Sequence, residues 1–138
     1  MRGTYLASVA ILLAGCASEP GGGAGSCDLS DGALDDSAFV IATAPVAGAR
    51  VSSGFGVEGC SRTFESTIVW RLHARNGSLL GQGTATGGGV DGPGPFAFSV
   101  PFTVAERQLG QLEVFEEDAS DGEGFPPGRT VLPLVLLP

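Results

Sequence analysis

Reactive chemistry in this chain would have to come from very few groups: three cysteines and one histidine among 138 residues. His73 falls on the polar side of an alternating run, where a solvated imidazole is expected. No Gly-x-Ser-x-Gly elbow presents a serine to it, and covalent or acid–base chemistry needs such a partner within reach. Cys27 and Cys60 together with His73 fall short of the four ligands of a structural zinc site. The densest group of potential ligands is acidic. Glu116, Glu117, Asp118, Asp121 and Glu123 crowd one segment with Gly122 and Gly124. Of these, Glu117, Asp118, Asp121 and Glu123 could converge on calcium, which favours grouped oxygen ligands, although the EF-hand spacing is absent. A solvated acidic turn is the competing reading. These residue types call for no enzyme and no cofactor.

Cys16 stands apart from the other two cysteines. Arg2 precedes the apolar run Leu6 to Leu13, which is too short to cross a bilayer, since a spanning helix needs about 20 residues. It therefore reads as the apolar region of an export signal. The run ends in Leu13-Ala14-Gly15-Cys16, which resembles the bacterial lipobox. The resemblance implies a diacylglycerol on the Cys16 thiol and cleavage just before it. An ordinary secretory signal with an incidental cysteine is the alternative. The boundaries that follow are residues 1–15 for the signal, 16–37 for a lipidated cysteine with an acidic, Gly-rich tether, and 38–138 for a folded domain. An exported chain meets an oxidising compartment, where the even pair Cys27 and Cys60 is expected to be bonded; two free thiols are the alternative.

The formal net charge is −8, and one more negative once Arg2 leaves with the signal. That balance disfavours nucleic acid, whose phosphates need basic side chains to release their counterions. It equally disfavours docking on anionic headgroups by charge, so a lipid must supply the membrane attachment. The expected location is extracytoplasmic, anchored to a bacterial membrane.

The elements that would position these groups are short and extended. Phe39 to Thr43 is a β run ended by Pro45 and Gly48, Val51 to Ser53 a brief extended piece, and Phe55 to Cys60 the next strand. Phe64, Ser66, Ile68, Trp70 and Leu72 alternate with Glu65, Thr67, Val69, Arg71 and His73, the period of a half-buried strand. Trp70 on the apolar side is expected in the core, and Glu65 is expected to pair across strands with Arg71 or Arg129. Asn76-Gly77 predicts a type I′ hairpin turn with two positive-φ residues, returning through Ser78 to Thr86. After a Gly- and Pro-rich loop, Phe96, Phe98, Val100, Phe102 and Val104 face inward, with Pro101 marking an edge or bulge. Gln111 to Glu117 and Arg129 to Leu137 complete the set. No run beyond the signal has helical periodicity. The predicted fold is an all-β, immunoglobulin-like antiparallel sandwich of about seven strands. The closing strand is apolar on both faces, so Leu132, Leu134 and Leu136 are candidate interface residues on an exposed edge.

In order and spacing these segments resemble the immunoglobulin-like domain of bacterial spore germination. The resemblance rests on Pro45, Gly48 and Val51-Ser52-Ser53, then Val57-Glu58-Gly59, Phe64-Glu65 and Gly77. It continues through Gly94-Pro95-Phe96 and Phe102 to Gly110, Leu112-Glu113-Val114-Phe115-Glu116, Asp121-Gly122 and Val131-Leu132-Pro133-Leu134. It implies an exported module of interaction type and supplies no catalytic residues. The expected function is a membrane-anchored, non-enzymatic binding or accessory module in germination or the cell envelope, with a protein or an envelope polymer as partner. A structural envelope lipoprotein without a discrete ligand is one alternative, and a calcium-dependent adhesion module another. If the lipobox operates, Cys16→Ser leaves an uncleaved or released protein, whereas intact mass of the wild type shows a lipid on residue 16. A mature N-terminus elsewhere without lipid contradicts it.

Overall fold

The computed structural model describes Cys27, residues 37–119 and residues 127–138. Among these residues the chain forms eight strands and no helix. They are β1 (Phe39–Ala44), β2 (Arg50–Val51), β3 (Phe55–Arg62), β4 (Thr67–Ala74), β5 (Leu79–Thr86), β6 (Gly94–Val100), β7 (Gln108–Phe115) and β8 (Arg129–Leu136). One sheet has the order β1-β3-β6, and the other β2-β8-β7-β4-β5. The brief extended piece expected near Val51 is β2, which brings the seven expected strands to eight. The fold is an all-β, immunoglobulin-like sandwich.

Period-two alternation drives the two sheets together. Ile68, Trp70 and Leu72 of β4, Leu112 and Val114 of β7, and Leu132, Leu134 and Leu136 of β8 turn one way into a shared core. Val57 of β3 and Phe96 and Val100 of β6 meet them from the three-stranded sheet, with Phe102 and Val104 just beyond. Each such side chain stabilises the fold by about 1.5–3 kcal/mol on burial. The expected inward row from Phe96 to Val104 is present, and β6 is an edge strand that stops one residue before Pro101. At the opposite edge Thr130 ties the sheets together. Its hydroxyl donates to the Val40 carbonyl at 2.8 Å and accepts from the Ala42 N–H at 3.1 Å.

Cys27 is bonded to Cys60, with Cα atoms 5.7 Å apart. The bond fixes the segment before the first strand to the middle of β3. A loop of 33 residues closed in this way contributes about 3–4 kcal/mol in the chain-entropy model.

Several local expectations are corrected. Phe64 and Glu65 do not open a strand: β4 begins at Thr67, and Phe64 lies in a turn, 75% exposed. Ser66 breaks the alternation with a φ of 57°, a left-handed conformation that ends the extended run before Thr67. The β4–β5 hairpin is not type I′. Only Gly77 has positive φ there, and the Gly77 N–H donates to the Ala74 carbonyl while the Ala74 N–H donates to Ser78. Those bonds describe a type I turn closed by a left-handed glycine. Asn76 instead accepts from the Ser78 N–H and hydroxyl through its side chain, at 3.0 and 2.7 Å.

The closing strand is corrected as well. Leu132, Leu134 and Leu136 are not an interface, for all three lie in the core, with Leu134 and Leu136 fully buried. Nor is β8 a bare edge. β2 pairs with it in parallel, and Val135 and Leu137 donate to the Ala49 and Val51 carbonyls. Because Val131, Pro133 and Val135 make the other face apolar too, alternation alone leaves the parity open. Leu134→Ala is expected to cost about 2–5 kcal/mol in denaturant unfolding. Leu109→Ala, at a side chain 58% exposed, is expected to cost less than about 0.5 kcal/mol. Equal losses would contradict this assignment of faces.

Candidate functional site

β4 and β7 run antiparallel through the middle of the larger sheet, so the start of one meets the end of the other. At this end the turn of residues 63–66 stands beside residues 116–119. The Phe64 N–H donates to the Glu116 carboxylate at 2.7 Å, a charge-assisted bond that locks the turn against the end of β7. The same turn is wedged from behind by Gly87, Gly88 and Gly89. The Thr63 N–H and hydroxyl both reach the Gly88 carbonyl, and the Gly87 N–H donates to Ser66. A Cβ on Gly87 would strike the Ser61 hydroxyl, and one on Gly89 the Ser66 hydroxyl. The glycine run is thus a close-packed shim under the Phe64 turn.

Phe64 forms a ridge between two hollows. One, of about 180 Å³, lies between Glu65, Thr67 and Val69 on one side and Glu116, Glu117 and Asp118 on the other. The second, of about 210 Å³, is lined by Ala38, Arg62, Thr63, Val90 and the other flank of Phe64 and Glu116. Val90 is 60% exposed, and its carbonyl accepts from Arg62 at 3.3 Å. The surface is an exposed apolar ridge with a carboxylate rim.

The expected acidic loop is only partly in view. Asp121 and Glu123 lie outside the described residues, as do Cys16 and its signal. Glu117 is paired with Arg71 at 3.9 Å, and among the described residues no three His, Cys, Asp or Glu groups are placed to hold a metal. The pairing expected of Glu65 is corrected: Arg71 takes Glu117, and Arg129 takes Glu113 at 3.0 Å. Both guanidiniums also lie over the Phe115 ring, 4.9 and 5.5 Å from its centroid. That cover explains how Phe115, out of step with inward Leu112 and Val114, stays 5% exposed. His73 is half-buried on the outer side of β4, opposite Gln111 of β7.

A third hollow, at the far end of the same sheet, was not anticipated. Arg50, Arg75, Arg107, Gln108, Leu109 and Val135 surround about 350 Å³. The arginines are far apart in sequence, and each sits where a strand begins or has just ended. That pattern is the only trace of this hollow in the sequence.

Removing the lock on the Phe64 turn tests the geometry of the first end. Glu116→Ala is expected to cost about 1–3 kcal/mol in denaturant unfolding and to raise amide exchange at Phe64. Unchanged exchange at that amide would show that the carboxylate does not hold the turn.

The model of the immunoglobulin-like domain of bacterial spore germination matches residues 39–123. A search of the curated proteins finds no match. Among solved structures, the crystal structure of CopC from Methylosinus trichosporium OB3b is similar at 19% identity, with a TM-score of 0.41. The alignment covers 73% of this chain and 94% of that one. The family match spans β1 to the acidic loop after β7, more than half of the sequence, and the chain belongs to the family of immunoglobulin-like domains of bacterial spore germination.

Proposed function

We propose that this chain is an extracytoplasmic accessory module that acts by binding, is held to a membrane by a lipid on Cys16, and catalyses nothing. The observation that carries the reading is the Cys27–Cys60 bond. Bonds of this kind persist in oxidising compartments outside the cytoplasm. This one lies shortly after the lipobox-like Leu13-Ala14-Gly15-Cys16, so a lipid there would hold the sandwich close to the membrane surface. Membership of an immunoglobulin-like germination family supports the same reading.

The contact surface this reading assigns is the Phe64 end. An aromatic ring 75% exposed, on a turn fixed by Glu116 and packed from behind by glycines, offers apolar area without an ordering cost on binding. The rim of Glu65, Glu116 and Glu117 favours a protein partner that brings basic groups around an apolar contact.

In cells producing the full chain, the protein is expected to enter the detergent phase on Triton X-114 partition and to carry no free thiol before reduction. Photo-crosslinkers at residues 65 and 90, which flank Phe64, are expected to capture a protein that Phe64→Ser loses while thermal stability stays unchanged. Recovery in the aqueous phase, free thiols in native material, or turnover of a cell-wall substrate by the purified protein would each overturn the proposal.

A further inference from the structure

The chain contains seven arginines and no lysine. Arg71 and Arg129 are spent on Glu117 and Glu113, and Arg62 reaches the Val90 carbonyl. Arg50, Arg75 and Arg107 behave differently. They share one hollow, and among the described residues no carboxylate lines it and none forms an ion pair with any of the three. In a chain of net charge −8 this is a concentrated positive site. Three guanidiniums gathered with no counter-charge from the described residues repel one another, and an anion relieves that repulsion.

Sheet register builds the site. Arg50 pairs with Val135, Val135 with Leu109, and one step beyond the Ala74–Gly110 pair the hairpin brings Arg75 alongside Leu109. The Arg75 N–H donates to the Gln108 side chain at 3.2 Å, which ties the hairpin to the start of β7, where Arg107 precedes it. The outer face there reads Arg50, Val135, Leu109, Arg75: two apolar side chains flanked by cations.

We propose that this hollow binds a phosphate-bearing ligand carrying at least two negative charges. Each guanidinium presents five N–H donors in a planar fork suited to oxyanions. Three forks around one hollow exceed what a single carboxylate accepts and match the several oxygens of a phosphate chain. Leu109 and Val135 give an apolar floor to the group bearing the phosphates. The source is a free or polymeric phosphate and not an anionic bilayer, which repels a chain of net charge −8. The binding does not depend on the lipid-anchored reading.

The test uses the mature chain with Cys16→Ser, which is soluble whether or not the native protein is lipidated. Sodium tripolyphosphate is titrated by calorimetry at low ionic strength. Saturable binding with one site per chain is expected, and Arg75→Gln and Arg107→Gln should each weaken it about tenfold or more. Arg71→Gln should leave it unchanged. The ligand-free melting temperatures of Arg75→Gln and Arg107→Gln should match the parent, because those side chains are exposed. The proposal is overturned by no saturable binding at millimolar tripolyphosphate, by equal affinity for citrate, or by equal loss in Arg71→Gln. Binding to phosphatidylglycerol vesicles but not to tripolyphosphate would overturn it in favour of a membrane. Concentration-dependent self-association abolished by Arg107→Gln, without phosphate binding, would overturn it in favour of a second copy.

Discussion

Trp70 lies flat on Phe98, with ring centroids 5.7 Å apart and planes 8° apart, and the two rings come from opposite sheets. Phe96 continues the contact along β6, 6.0 Å from Phe98. This aromatic column sets where the sheets meet, and much of the sequence around it follows. The indole spreads over the neighbouring strand β5, where a Cβ at Gly83 would come within 2.8 Å of the ring nitrogen. Gly81 lies under the same ring. On the other side, a Cβ at Gly59 would reach within 2.5 Å of the Phe96 ring. Glycines weaken strands by leaving nothing to pack. At Gly83 the indole already fills the space, and at Gly59 the Ile41 carbonyl of the paired strand and the Phe96 ring fill it together.

With its centre held by packing, the larger sheet can differ at its two ends. Along its outer face, Arg71 with Glu117 and Arg129 with Glu113 pair over the Phe115 ring. Beyond the strand ends the charges segregate by sign. The end where β4 begins and β7 finishes collects Glu65, Glu116, Glu117 and Asp118. The end where β4 finishes and β7 begins collects Arg50, Arg75 and Arg107. Antiparallel pairing makes this segregation possible, since successive turns along the chain fall at alternate ends. A net charge of −8 therefore conceals a molecule with a positive pole, and the uniform exclusion of anionic partners from composition holds only for the average surface.

Rigidity at the Phe64 end comes from an unexpected source. A run of three glycines in sequence reads as a loose loop. Folded, Gly87, Gly88 and Gly89 pass so close to Ser61, Gly94 and Ser66 that a side chain on any of them would clash. The buried Ser61 hydroxyl has no hydrogen-bond partner among the described residues. Glu116, read in sequence as one of a crowd of carboxylates, is the member that holds the turn, because its partner is a backbone N–H 52 residues away.

The sequence by itself determined what depends on local period and chain chemistry. Alternation around Ile68, Trp70 and Leu72 and around Phe96, Phe98 and Val100 marked the core, and an even cysteine pair marked the bond between Cys27 and Cys60. It also carried enough ordered turn and strand residues to identify the family across residues 39–123. Tertiary structure alone decided the parity of β8, where both faces are apolar and only the opposing sheet distinguishes Leu134 from Val135. It likewise decided that Phe64 leaves the core, since the alternating pattern runs unbroken through a residue whose backbone turns at Ser66. The arginine hollow belongs to the same class. Arg50, Arg75 and Arg107 are separated by 25 or more residues, and no period connects them; they become neighbours because strand register, a non-local property, aligns the ends of β2, β4 and β7.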